Sequence, residues 1–198
     1  MTNSEKTLYF AYGSNLSLTQ MASRCPTSTY HALATLRNWK WVIGERGYAN
    51  IVASPGSTAK STFGLRGRPL APAGEDEDGN GDGEDYVVGM LYYLEAADEA
   101  NLDRAEGVPD VYVKQMLDVD VLGMGTAQRV TALVYVDVAR AGTGVCREEY
   151  VGRMNRGVRD AVGKGMSASY VEKYLRPWVR EEEVLGEVED PFHPEKNG

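Results

Sequence analysis

Apolar and polar positions change their period once along this chain. Up to about Val138 the apolar residues mostly come in short runs or alternate with polar ones, which is the habit of strands. From Arg147 onward they recur at helical spacing. Leu8 to Tyr12 reads as a buried first strand. Ala32 to Gly44, built around Trp39 and Trp41, reads for the most part as one long strand, with a turn over Gly44 to Gly47. Tyr48 to Ala53 and Thr62 to Gly67 are two shorter strands, and Tyr86 to Leu94 resumes strongly. Tyr112 to Leu122 and Arg129 to Val138 alternate as two antiparallel strands joined around Gly123 to Thr126. Ala96 to Glu106 has helical composition and stops at Gly107, with Pro109 just beyond. After Arg147 one stripe carries Tyr150, Val151, Met154, Val158, Ala161 and Val162. A last helix is expected to open on the capping box Ser169-Tyr170-Val171-Glu172 and to turn Tyr174, Leu175 and Trp178 inward. The pattern predicts an α+β fold with strands first and helices last.

Two places in that pattern could carry chemistry. The first strand breaks at once into Gly13-Ser14-Asn15, residues that favour turns and positive φ and leave backbone N–H groups free. Ser17-Leu18-Thr19-Gln20 then has the form of a capping box and starts a short helix running to about Arg24. Strand, turn and helix N-terminus together aim N–H dipoles at a point where a carboxylate or phosphate could sit. An ordinary strand-to-helix turn has the same sequence. No Gly-Lys-Ser/Thr follows, so this is not a phosphate-binding loop of the Walker type, and Ser14 lacks the second glycine of a nucleophile elbow.

The second place is Glu106. Gly107 is well placed as the residue just past the helix, so Glu106 falls in the last turn, where the helix dipole disfavours negative charge by a few tenths to about 1 kcal/mol. A carboxylate held that way has a raised pKa, as a general base near neutral pH requires. A solvated glutamate at a helix end fits the same residues.

The segment Tyr9-Phe10-Ala11-Tyr12-Gly13-Ser14-Asn15-Leu16 resembles the signature of the γ-glutamyl cyclotransferase family, and Leu102-Asp103-Arg104-Ala105-Glu106-Gly107-Val108 resembles that family's second motif. Tyr48 to Val52 is similar to a family strand lying beside the signature turn. The resemblance spans most of residues 8 to 180 and implies a mixed β-barrel-like sheet flanked by helices. It implies Glu106 as catalytic acid/base. It also implies a substrate-binding wall of Tyr9, Phe10, Ala11, Tyr12, Gly13, Ser14 and Asn15, with Tyr150 as a further substrate contact. Tyr112 stands near a family pocket tyrosine at a spacing one residue shorter. The implied reaction is intramolecular: a γ-glutamyl compound's α-amine attacks its own γ-carbonyl, closing 5-oxoproline and releasing the amine on the other side. Proximity supplies much of the advantage. Several readings stay open beside a γ-glutamyl amino acid or peptide substrate. They are a γ-glutamyl amine or γ-glutamylated biosynthetic intermediate, hydrolysis in place of cyclisation, and a non-catalytic protein that binds a glutamyl-like ligand or a protein partner.

Composition narrows the surroundings. With 198 residues and 42% hydrophobic content, one globular domain over residues 1–180 is expected. The formal charge of −8 is unevenly placed: residues 75–85 carry seven acids and no base, and residues 181–198 carry a net −6, which leaves +5 for the body. The acidity therefore belongs to a disordered insertion over 71–85 and a mobile tail over 181–198. A body of that sign suits an anionic small molecule, and no basic run interleaved with aromatics suggests nucleic acid. Asp76-x-Asp78-x-Asn80-Gly81 fits the first half of a calcium loop, but its twelfth position is Val87 and no helices flank it. Cys25 and Cys146 lack metal or redox spacing and read as buried free thiols. His31 is the only histidine before the tail, so a Ser-His-Asp triad and a histidine-rich metal centre are poorly supplied. No cofactor and no metal are expected. No membrane span or secretory leader is present in the pattern, which points to the cytoplasm. The expected partner is a small γ-glutamyl molecule, and a homodimer is left open.

Overall fold

The computed structural model describes residues 6–55, 85–123, 128–183 and 190–192. Five strands close into a barrel in the order β1 (Thr7–Ala11), β5 (Tyr86–Leu94), β2 (Thr29–Arg37), β6 (Val113–Val121), β7 (Gln128–Val136). All neighbours in the barrel run antiparallel except β1 and β7, which meet in parallel through Tyr9 and Leu133. That single parallel contact seals the sheet and leaves the barrel strands no free edge. β3 (Trp39–Ile43) and β4 (Ala49–Ala53) form a separate two-stranded hairpin beside it. Helices α1 (Leu18–Arg24), α2 (Ala96–Glu106), α3 (Glu148–Gly163) and the short α4 (Ala168–Tyr170) complete the fold. The last of these continues as a π-helical turn over Val171–Leu175. The mixed, barrel-like sheet with flanking helices is the architecture that the sequence pattern and the family resemblance led us to expect.

Local chemistry explains most of the element ends. Ser17 caps α1 by accepting from the Gln20 N–H at 3.3 Å, and Asp160 of α3 accepts from the Leu18 N–H at 2.9 Å. The second bond ties α1 to α3. Gly107 closes α2 in the left-handed region at φ 65°, where a side chain would be strained. Aliphatic and aromatic side chains from β1, β2, β5, β7, α3 and the Val171–Leu175 turn merge into one continuous core, with Phe10, Met90, Leu91 and Met154 fully buried.

Several expectations are corrected. The long strand from Ala32 to Gly44 is two strands, because Asn38 adopts φ 66°, a conformation asparagine tolerates, and turns the chain out of the barrel into the hairpin. The last helix is capped by Ser167 rather than Ser169, whose own N–H donates to the Ser167 hydroxyl at 3.2 Å. Its buried positions are Tyr170, Val171 and Leu175; Leu175 turns inward as expected, and Tyr174 and Trp178 are half-buried against the core. Val162, placed on the apolar stripe of α3, is 42% exposed. Cys25 is buried as expected, but Cys146 is only half-buried. Strand Thr62 to Gly67, the half calcium loop and residues 71–84 lie outside the described residues.

Candidate active site

The site starts where β1 ends. Gly13 has φ −108°, so positive φ is not what the turn asks of it. What it needs is room, since a Cβ there would stand 2.9 Å from the Tyr150 hydroxyl and 3.2 Å from the Ala49 Cβ. The next residues form a single 3-10 turn over Ser14–Leu16, and α3 lies against it. The Ser14 N–H donates to the Tyr150 hydroxyl at 3.0 Å. That N–H is thereby used, and the phenol, accepting with its oxygen, keeps its own proton to donate. Tyr12 donates to the Tyr135 carbonyl at 2.6 Å, and the Tyr9 ring meets the Tyr135 ring edge-on at 5.7 Å between centroids. Tyr112 donates to the Ala49 carbonyl at 3.0 Å.

These groups line a cavity of about 150 Å³, whose wall also holds Glu106. The Glu106 side chain is 18% exposed. Its Oε1 accepts from Asn15 Nδ2 at 3.2 Å, and Arg24 Nη1 lies 3.6 Å away. Asn15 is itself oriented at both ends: its amide nitrogen also donates to the Tyr9 hydroxyl at 2.9 Å, and its oxygen accepts from Gln20 Nε2 at 2.7 Å. Gln20 thus serves the site instead of returning to the helix cap. Its amide nitrogen also reaches the Ser14 hydroxyl at 2.9 Å, and its oxygen accepts from Arg153 Nε at 3.1 Å. Arg24 and Arg153 are nearly inaccessible, at 2% and 4% exposure. Arg24 is held by Asp190 through two bonds of 2.6 and 2.7 Å.

Burial pushes the Glu106 carboxyl above the ordinary carboxylate range. Arg24, Arg153 and the Asn15 amide pull the other way, and Asp190 adds a smaller upward push. The direction matches the sequence expectation, but the chief cause is loss of solvent rather than the end of a helix. Burial also drives Tyr9, Tyr12, Tyr112 and Tyr150 upward, so these phenols stay protonated at neutral pH.

Of the residues singled out in the sequence, Tyr9, Tyr12, Gly13, Ser14, Asn15, Glu106, Tyr112 and Tyr150 all line this cavity. Phe10 and Ala11 do not. The pleat sends Phe10 to the opposite face of β1, against Gly89, and Ala11 has only a methyl group; both are wholly buried in the core. The sequence reading missed Arg24, Arg46, Arg104, Tyr135 and Arg153, it noted Tyr48 only as part of a strand beside the turn, and it placed Phe192 in a mobile tail. For residues 190–192 that expectation is corrected: Asp190 binds Arg24, and Phe192 packs edge-on against Tyr48 at 5.6 Å. Arg153 had one visible signal, a charge falling on the apolar stripe of α3, between Val151 and Met154. Among the described residues no group of histidine, cysteine and acidic side chains could hold a metal ion, and no helix is long and apolar enough to cross a membrane.

Comparison with known proteins places these features in context. Residues 86–174 match the model of a family described as AIG2-like. A human structure, uncharacterized protein loc79017, is 21% identical and superposes with a TM-score of 0.64 over 98% of this chain and 99% of its own. A structure named gamma-glutamyl cyclotransferase is likewise 21% identical, with a TM-score of 0.65 over 98% and 99%. YkqA from Bacillus subtilis is 17% identical, with a TM-score of 0.61 over 89% of this chain and 55% of that one. At these identities the likeness establishes the fold. No curated protein matches the chain in sequence.

Proposed function

Taking as premise that this chain has the γ-glutamyl cyclotransferase-like fold, we propose that it cyclises a γ-glutamyl compound to 5-oxoproline and releases the amine, with Glu106 as acid/base. The observation that carries this reading is the Glu106 carboxylate itself, desolvated at the wall of a small cavity and fixed by Asn15 at 3.2 Å. A buried carboxyl with raised proton affinity suits a group that must take a proton from the attacking nitrogen and give it to the leaving one. In the proposed sequence Glu106 takes a proton from the substrate's α-ammonium, and the freed amine attacks the γ-carbonyl carbon. The tetrahedral intermediate then collapses as Glu106 returns that proton to the leaving nitrogen; the attacking nitrogen sheds its second proton to become the lactam N–H, and that proton leaves with the released amine as its ammonium, so the carboxylate ends as it began.

The developing oxyanion needs donors that do not have to reorganise. The Tyr150 hydroxyl supports such a role, because Ser14 already fixes its oxygen and its proton remains to give. Backbone N–H groups of Gly13 and Asn15 are the other candidates. Arg153 suits an anionic group on the substrate: it lines the cavity, and its Nη1 makes no hydrogen bond among the described residues, the Glu149 carboxylate standing 3.6 Å off.

The test is a product assay on γ-glutamyl dipeptides, γ-glutamyl amines and glutathione, run beside Glu106→Gln. We expect 5-oxoproline from the native protein and a loss of about two or more orders of magnitude in the variant. Glutamate as product would mean hydrolysis. Equal turnover by Glu106→Gln would remove the acid/base assignment, and no turnover on any substrate would leave a binding protein.

A further inference from the structure

Resting on that reading, we propose that Asp190 is a positioning residue for Glu106, holding the Arg24 guanidinium so that it does not close onto the carboxyl that moves the proton. The geometry is unequal in a telling way. Arg24 lies between two carboxylates, but it makes a two-point contact with Asp190 at 2.6 and 2.7 Å and stands 3.6 Å from Glu106 Oε1. Asp190 also lies 3.5 Å from Arg153 Nη2, so one carboxylate answers both buried cations. Phe192 anchors the segment that brings it. The ring sits against Tyr48 at 5.6 Å and under the Arg153 guanidinium at 5.6 Å, at the cavity wall.

An arginine that has lost its partner in so dry a place will take the next carboxylate within reach. For Arg24 that is Glu106. A direct, charge-assisted pair there would hold Glu106 ionised and weaken it as a base. Asp190 therefore keeps two functions apart: neutralising the buried arginines, and leaving Glu106 free to gain and lose a proton.

Other groups facing Glu106 do not replace it. The phenols of Tyr9, Tyr12, Tyr112, Tyr135 and Tyr150 are all shifted upward and carry no charge near neutral pH. The Cys25 thiol at the end of α1 is pushed up to about 12 and is neutral too. Arg46 and Arg104, which line the same cavity, add positive charge only. Apart from Glu106 itself, Asp190 is thus the counter-anion that meets both Arg24 and Arg153 among the described residues.

The decisive measurement is the pH profile of kcat/KM for Asp190→Asn and for Phe192→Ala, which loosens the segment without leaving a buried charge unpaired. In Asp190→Asn we expect the acidic limb to move to lower pH by at least half a unit and the rate at neutral pH to fall about tenfold. Phe192→Ala should move the limb in the same direction by less, and Asp190→Glu should restore it. A merely structural role would lower the rate without moving the limb. Limbs that superimpose on the native profile in both Asp190→Asn and Phe192→Ala would overturn the proposal. Titration of the Glu106 carboxyl carbon by NMR, with the signal assigned from Glu106→Gln, reads the same shift without turnover. A native protein that forms no 5-oxoproline therefore sinks the proposed function and still leaves this proposal testable.

Discussion

Two groups of arginine and carboxylate in this molecule have nearly the same contact geometry and opposite surroundings. At the cavity, Arg24 meets Asp190 at 2.6 Å with its side chain 3% exposed. On the surface across β2, β6 and β7, Asp120 meets Arg37 and Arg129 at 2.8 Å each, with those arginines 47% and 58% exposed. Water surrounds the two arginines of the second group and would solvate either one left alone, and Asp120, itself 16% exposed, keeps the other as partner, so losing one bond costs little. Water does not replace Asp190 for Arg24, and the carboxylate left within reach is Glu106, 3.6 Å away. The difference teaches that the distance of an ion pair says little about its importance; what decides is what would happen to the partner left behind.

The comparison can be broken by substitution. Arg24→Met removes both short bonds to Asp190 and leaves that carboxylate only Arg153, 3.5 Å away, and should cost about 3 kcal/mol in urea unfolding. A cost under 1 kcal/mol would mean that water reaches the pair. Gly13→Ala tests the same crowding without charge: its Cβ would press on the Tyr150 hydroxyl, and we expect a loss of about 1–3 kcal/mol, part of it recovered in a Tyr150→Phe background. If the single variant is as stable as the native protein, the turn is looser than described.

Smaller effects sharpen the contrast. Burial raises the folded-state pKa of Glu106, so its charged form costs stability at neutral pH, and that cost is relieved as pH falls through the folded pKa. Glu106→Gln should therefore be the more stable protein at pH 7, with the advantage shrinking as the solution is acidified; thermal melts across pH 4 to 8 would show it. Asp120, whose carboxyl its two arginines hold below the ordinary range, follows the opposite sign. It contributes stability above its unfolded pKa and loses it as pH falls through the folded one. Arg129→Gln should change unfolding by at most about 1 kcal/mol, less still in high salt. A larger change would erase the distinction between the two groups.

How much of the site could be read in advance follows the same division. Gly13, Asn15 and Glu106 announce themselves because each interrupts a local pattern: a strand that stops at a turn, a helix that ends on the wrong charge. Arg24 and Arg153 belong to ordinary helices, and only tertiary packing buries them. Asp190 and Phe192 follow a run of acids whose composition argues for disorder, and two specific contacts suffice to seat them. Periodicity located the barrel strands well, because each strand's alternation is a local property. It failed at Asn38, where one residue's backbone angle, invisible to a count of apolar positions, sends the chain into a second sheet.

The parallel seam between β1 and β7 has a consequence for how the protein is made. β1 emerges first from the ribosome, yet its last partner in the barrel is β7, and the groups that complete the cavity follow on α3 and at Asp190. The complete cavity must therefore wait for nearly the whole chain, about 10 to 40 s at ordinary elongation rates. Throughout that interval the apolar strand β1 has no closed barrel to enter, which makes it a natural substrate for chaperones that shield hydrophobic segments during synthesis.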